Sequence, residues 1–307
     1  MRRNFSGILY GKQVALLMGG PGAEREVSLR SGAAVAKALI ACEAIVTECD
    51  IRDAHFRLAP NCDLAFNMIH GTFGEDGTLQ DILDQRGVRY TGEGKQGSFL
   101  AFDKIQTKAC FDRANVPTVA WSVLRKGDLW QHAFPCVVKA PRQGSSVGVH
   151  IVRSAAEVDA ALLDCFRFGE EVLVEDFFVG RELTVGIVGN EALPIVEIVP
   201  HEGFYDYEHK YTKGSSDYHV PAALEDDETG KIQAVALAAH RALGLEVYSR
   251  VDILLAPDGG LNVMEINTIP GMTETSLLPK AAGVAGYDFP ALCEEIAGWS
   301  LRKNSYL

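Results

Sequence analysis

Between two apolar runs lies Lys139-Ala140-Pro141-Arg142-Gln143-Gly144-Ser145-Ser146-Val147-Gly148-Val149, a stretch suited to holding an anion. Glycines let the backbone approach a phosphate closely, and exposed N–H groups and serine hydroxyls donate to its oxygens. Lys139, ending its run, adds a full positive charge. The stretch is not a P-loop, because it has no G-x-x-x-x-G-K-[ST] and joins two strands instead of opening a helix. On residue types alone, a flexible hairpin loop is the alternative. A second constellation is Arg250-Val251-Asp252 and Glu265-Ile266-Asn267, on two runs joined across Asp258-Gly259. Side chains alternate faces along a strand, so Arg250 shares a face with Asp252, and Glu265 with Asn267. Adjacent strands can then gather Asp252, Glu265 and Asn267 into an all-oxygen cluster, which suits Mg²⁺ bridging carboxylates to substrate phosphates. The bland alternative is a solvated hairpin face, but Ile253, Leu254, Val263 and Ile266 flank the charges.

Three loops follow strand-like runs. Gly19-Gly20-Pro21-Gly22-Ala23-Glu24-Arg25 with Asp50 superficially suggests a dinucleotide site, but Arg25 stands where the third glycine is needed. The alternative is a helix N-terminus facing a small substrate, with Glu24 available to an ammonium group. His70-Gly71-Thr72-Phe73-Gly74-Glu75-Asp76-Gly77 offers His, Glu and Asp as metal ligands, or a stabilising loop with a helix-capping acid. Thr268 to Leu277 directly follows the carboxylate strand and offers backbone donors where an oxyanion could sit.

These segments need elements to position them. From residue 13 to about 103, strands (Val14–Met18, Ile45–Cys49, Leu64–Ile69) alternate with helices (Ser28–Ile40, Leu79–Gln85, the latter stopped at Gly87). That alternation predicts a doubly wound parallel sheet covered on both faces. After a helix over 103–114 come strands Cys136–Lys139, Val149–Val152 and Glu171–Glu175, with a helix from the Ser154–Glu157 capping box to about Phe168. Hairpin signals at Gly189-Asn190 and Asp258-Gly259, with a helix over about 227–243, predict an antiparallel sheet. The expected fold class is thus α/β and α+β in three domains. An N-terminal domain (1–103) precedes a small α+β domain (104–181) and a larger antiparallel-sheet domain (182–307).

The 307 residues, 47% of them hydrophobic and 23% charged, suffice for several cores. A net charge of −12 argues against general affinity for nucleic acid or anionic lipid. Seven scattered cysteines without a C-x-x-C pair fit reduced thiols. The apolar run after Met1-Arg2-Arg3 is shorter than a signal h-region, and no segment is long enough to span a membrane. The expectation is a cytoplasmic protein with neither nucleic-acid nor membrane partners.

In order and spacing, A-E-R-E-V-S (23–28), H-G-x-x-G-E-D-G-T-L-Q (70–80), G-S-S-V-G (144–148), F-Y-D-Y-E-x-K-Y (204–211), R-V-D (250–252) and E-x-N-T-x-P-G-M-T (265–273) together resemble the D-alanine–D-alanine ligases of the ATP-grasp superfamily. The resemblance covers about 14–286 and implies ligation of two D-alanine molecules through an acyl phosphate, for peptidoglycan precursor synthesis. It implies that Lys104 and Lys139, with Ser146 and Lys210, bind ATP. Glu175 and Asp176-Phe177-Phe178 would receive adenine, and Glu182 the ribose. Asp252, Glu265 and Asn267 would bind two Mg²⁺ (or Mn²⁺) ions.

For the substrates, the resemblance implies that Glu24 orients the first D-alanine, near His70. A Glu24–Ser145–Tyr211 triad would hold closed a loop around residues 201–220. Arg250 and the Gly271 N–H would stabilise the oxyanion, while Ser276 and Leu277 would hold the second carboxylate. A homodimer is expected on the same ground. Pro141-Arg142-Gln143 and Phe177-Phe178 depart from the family's frequent Arg-Glu and Trp-Leu, which implies tuning of affinity. A ligase making D-alanyl-D-lactate or D-alanyl-D-serine is the nearest rival, and Tyr211 argues against the lactate type. A non-catalytic ATP-binding protein would be expected to lose a metal ligand or Arg250.

Overall fold

Residues 4–201 and 216–303 are described in the computed structural model, and three sheets organise them. The first is parallel, with strand order β2 (Ile45–Ile51), β1 (Gln13–Gly19), β3 (Leu64–Asn67). Strand β1 sends alternate residues to opposite faces, as the pleat requires. Val14 and Leu16 enter a core shared with helix α1 (Arg25–Ala41), while Ala15 and Leu17 enter one shared with α2 (Thr78–Gln85). Both faces are therefore covered, as the strand–helix alternation predicts. Gly87 ends α2 region with φ +64, the left-handed conformation expected of it.

Helices α3 (Lys95–Phe102) and α4 (Lys104–Ala114) lead into the second sheet, ordered β4 (Trp121–Arg125), β7 (Glu171–Asp176), β5 (Cys136–Lys139), β6 (Val149–Val152). Asp103 caps α4, its carboxylate accepting from the Ile105 and Gln106 amides. Helix α5 (Ala155–Cys165) packs on this sheet and stops short of Phe168. Its predicted capping box forms differently: the Ser154 hydroxyl donates to the Glu157 carboxylate and leaves the helix amides uncapped. Several elements escape sequence reading, α3 and β4 among them. Helix α3 carries Gly97 in its interior, where a Cβ would come within 2.9 Å of Leu245. Strand β4 is an edge strand burying only Leu124, so it lacks the alternation that marks a half-buried strand.

The third sheet runs β11 (Ser216–His219), β10 (Val196–Pro200), β8 (Arg181–Val188), β12 (Tyr248–Leu255), β13 (Leu261–Asn267), with β9 (Glu191–Ala192) pairing β8 across the Gly189-Asn190 turn. Helix α6 (Asp226–Ala242) covers one face. Helices α7 (Leu277–Val284) and α8 (Phe289–Arg302) cover the other and share a core with β1, β3 and α1. That shared core fixes the first sheet against the third, and the site lies where they meet. All seven cysteines are free, four buried and three half-buried. Among the described residues no helix is long and apolar enough to cross a membrane.

Candidate active site

The antiparallel pairing of β12 with β13 places Asp252 opposite Glu265 and Arg250 opposite Asn267. A β-bulge follows at once, because Ile253 pairs with Val263 and leaves Met264 as the extra residue. Arg250 grips Asp252 bidentately, with Nε–Oδ1 2.9 Å and an Nη2–Oδ2 contact of 2.8 Å. Thr184, on the other neighbouring strand, donates to Asp252 Oδ1 at 2.6 Å. Three donors thus hold the Asp252 carboxylate, and they fix Arg250 with it. Asn267 accepts from the Ile269 amide at 3.2 Å through Oδ1.

The Gly/Ser loop faces this wall. Lys104, at the start of α4, donates to the Gln143 carbonyl at 2.7 Å and lies 3.8 Å from Glu265. Lys139 ends β5 and forms an ion pair with Glu175, whose other oxygen pairs with Lys108. Glu175 and Lys108 are each only 1% exposed. Burial pushes the Glu175 carboxyl up, but the Lys139 and Lys108 ammonium groups more than reverse this and hold it below the usual carboxylate range. Burial likewise lowers the Lys108 ammonium, opposed by Glu175. The Glu175 side chain, expected at adenine, is therefore committed to two lysines, and its direct effect is to position Lys139. Lys108 also reaches Thr118, whose hydroxyl donates to the Val263 carbonyl at 2.8 Å and ties this sheet to β13.

Glu24 sits immediately before α1, and the Ser145 hydroxyl donates to its carboxylate across 121 positions of sequence. Two bare Cα atoms make room: a Cβ would lie 2.2 Å from Glu24 Oε2 at Gly71 and 2.7 Å from it at Gly144. His70 is buried and joins α1 to the loop after β13, with Nδ1 2.8 Å from the Ile269 carbonyl and Nε2 3.0 Å from the Ser31 hydroxyl. Because the carbonyl only accepts, Nδ1 carries a proton. Glu75 lies 3.7 Å from His70, its carboxyl raised first by burial. Asp76 accepts from the Phe73 and Thr78 amides, which is the capping role and not a ligand role. Ser276 precedes α7 and engages Thr273, and Gly271 packs against it. Phe177 and Phe178 are half-buried between β7 and β8. Tyr211 and Lys210 lie outside the described residues.

These groups border one depression. A cleft of about 700 Å³ is lined by Glu24, His70, Ser145, Arg250, Asn267, Gly271, Ser276 and Leu277 among others. A smaller extension of about 80 Å³ is lined by Lys139, Ser146, Glu182, Asp252 and Leu254, and both share Lys104, Gln143 and Glu265. The sequence-selected residues thus converge, apart from the two undescribed ones, the hinge phenylalanines and the internal Glu175. Lys108 and Thr184 were missed. Lys108 had one signal, its i,i+4 spacing from Lys104, while Thr184 on an apolar strand had none.

At the first glycine loop Asp50, the acid that would meet a dinucleotide ribose, is already engaged: Arg25 bonds it at 2.7 Å and the Ile51 carbonyl at 3.2 Å. For a metal, two carboxylates and an amide supply hard oxygen donors and leave positions open for phosphate oxygens and water. Among the described residues no group of three or more His, Cys, Asp or Glu offers a rival centre. Asp252, Glu265 and Asn267 therefore fit Mg²⁺ or Mn²⁺.

Comparison with known proteins agrees with this arrangement. Family models for the D-ala D-ala ligase C-terminus and N-terminus match residues 110–297 and 47–93. A D-alanine–D-alanine ligase of Methylacidiphilum infernorum is 45% identical over 93% of this chain and 94% of its own. The structure of the Bacillus anthracis D-alanine–D-alanine ligase complexed with ATP superposes with a TM-score of 0.85 at 32% identity, covering 95% of this chain and 97% of that one. A D-Ala:D-Ser ligase from Enterococcus faecalis superposes at 0.82 with 26% identity, over 94% and 99% of the two chains. With its two characteristic segments matched and the ATP-grasp sheets in place around one cleft, the chain belongs to the D-alanine–D-alanine ligase family.

Proposed function

We propose that this protein joins two D-alanine molecules into D-alanyl-D-alanine with conversion of ATP to ADP and phosphate, supplying a cell-wall precursor in the cytoplasm. The observation that carries the reading is that Lys104, Gln143 and Glu265 line both the large cleft at the Glu24 end and the smaller cavity at the lysine-rich end. A carboxylate is a poor acyl donor because its leaving group would be oxide. Phosphorylation of the first D-alanine removes that obstacle, and the amine of the second then attacks through a tetrahedral intermediate and expels phosphate.

Glu24 receives the ammonium of the first D-alanine, fixed by Ser145. Lys104, Lys139 and Ser146 meet the ATP phosphates, and Glu182 the ribose. Two Mg²⁺ (or Mn²⁺) ions on Asp252, Glu265 and Asn267 supply charge neutralisation when bound. Arg250, held on Asp252, faces the developing oxyanion with Gly271, and Ser276 with Leu277 takes the second carboxylate. Apart from Arg181, which opens β8, the three sheets fall one in each of the segments 1–103, 104–181 and 182–307, which supports that division into domains. We extend the proposal to a homodimer on family likeness.

Incubation with ATP, Mg²⁺ and D-alanine should yield ADP, phosphate and dipeptide in equal amounts. Stimulation by an L-amino acid with none by D-alanine would overturn the substrate assignment. The D-Ala:D-Ser ligase is 26% identical to this chain and the Methylacidiphilum infernorum D-alanine–D-alanine ligase 45%, which supports D-alanine as the preferred acceptor. Family likeness assigns Tyr211 to the Glu24–Ser145 set, and on that assignment Tyr211→Phe should remove one hydrogen bond worth about 1 kcal/mol. Detectable D-alanyl-D-lactate should follow below neutral pH, where the competing amine is more fully protonated. Mass spectrometry with both acceptors present checks this, and full dipeptide activity without any ester would make Tyr211 a packing residue.

A further inference from the structure

Two cations that line the large cleft, Arg30 and Lys280, have no role in the proposed reaction; Arg30 is exposed on α1, whereas Lys280 is half-buried. Lys280 lies on α7, one helical turn beyond Ser276, and its amide N–H donates to the Ser276 carbonyl at 3.1 Å. Residues four apart share a helix face, so Lys280 and Ser276 look into the same space, and both line the cleft. The Lys280 side chain is half-buried, and its ammonium stands 4.2 Å from the centre of the Tyr218 ring on β11. Among the described residues no carboxylate pairs with it, whereas Lys104 and Lys139 each have one. Partial desolvation lowers its pKa, with no acid to compensate. A cation steadied by an aromatic face, turned into a substrate cleft and lacking an acid, is suited to an anionic ligand group.

Lys139 lines the small extension and Lys280 does not, which sets Lys280 apart from the phosphate end. Its neighbours Ser276, Thr273 and Thr275 are hydroxyl donors of the kind that meet a carboxylate. We propose that Lys280 binds the α-carboxylate of the acceptor amino acid, with Tyr218 holding its ammonium in place. The assignment rests on the ligase reading and adds to it a charged determinant for acidic acceptors. An acceptor without the carboxylate loses this contact, so Lys280 selects amino acids over their amides and esters.

The test pits D-alanine against D-alaninamide as acceptors in one reaction with ATP and Mg²⁺. D-alaninamide has no carboxylate to phosphorylate, so it reacts only as acceptor, and mass spectrometry of dipeptide against dipeptide amide gives the ratio of kcat/KM directly. The unaltered protein should favour D-alanine. Lys280→Met should lower that preference roughly 10- to 100-fold, the range of a hydrogen bond to a charged group, with the KM for ATP unchanged. Lys280→Arg should restore most of it. Parallel loss for both acceptors, or a raised KM for ATP in its place, would overturn the assignment and reduce Lys280 to packing on Tyr218 or to phosphate binding. Absence of any product from the unaltered protein would instead strike the ligase reading.

Discussion

Replacing Glu265 by Gln, or Asp252 by Asn, is expected to lower turnover by at least about 10²-fold, because neutralising charge on a transferring phosphoryl group contributes several kcal/mol. The two variants should differ in stability. Glu265 faces Lys104 at 3.8 Å, a loose contact whose loss leaves the hairpin intact. Asp252 holds Arg250 bidentately, and both side chains are mostly buried, so Asp252→Asn leaves a desolvated guanidinium with its partner's charge gone and one of the two acceptor oxygens replaced by an NH₂ group. The melting temperature should therefore fall more for Asp252→Asn than for Glu265→Gln. Phosphate release at saturating ATP and D-alanine measures the first effect, and thermal denaturation the second. Near-normal activity of either variant at low Mg²⁺ would demote the cluster to a structural hairpin face.

The parts of the site set by local period were legible from sequence. Alternation along two strands and the Asp258-Gly259 turn suggested that Asp252, Glu265 and Asn267 lie together, and the ladder sets Asp252 opposite Glu265, with Asn267 two residues on and opposite Arg250. Arg25 excluded a dinucleotide, and its bond to Asp50 shows the physical means. What could not be read was set by distant partners. The bulge at Met264 depends on a register that only pairing reveals. Likeness to a family assigned Glu175 to adenine, yet its carboxylate lies between Lys139 from its own sheet and Lys108 from a preceding helix. Nothing local in Val-Glu-Asp announces that. Ser145 reaching Glu24 was expected from likeness, but the two glycines that clear space for the carboxylate come from separate loops and show their purpose only in three dimensions.

Lys108→Met is expected to destabilise the protein by about 3–5 kcal/mol, the cost of removing one partner from a buried ionic group, and to lower the melting temperature on the order of 10 °C. Lys108 and Glu175 are both essentially inaccessible, so water cannot replace the lost ammonium. Glu175 would then depend on Lys139 alone, and Lys139 would lose freedom to meet another anion, which should raise the KM for ATP. The dependence on pH has a definite sign. The folded Glu175 carboxyl lies below its ordinary value of 4.5, so its contribution is complete above that value and is lost as pH falls through the lower folded one. The stability gap between the unaltered protein and Lys108→Met should accordingly be widest near neutrality and narrow in acid. Combining Lys108→Met with Glu175→Gln removes the stranded charge, and the double variant should be less destabilised than the sum of the two single changes. Denaturant melts of the four proteins decide it. Additive losses would mean that Lys108 serves only as packing for α4, with Glu175 balanced by Lys139 alone.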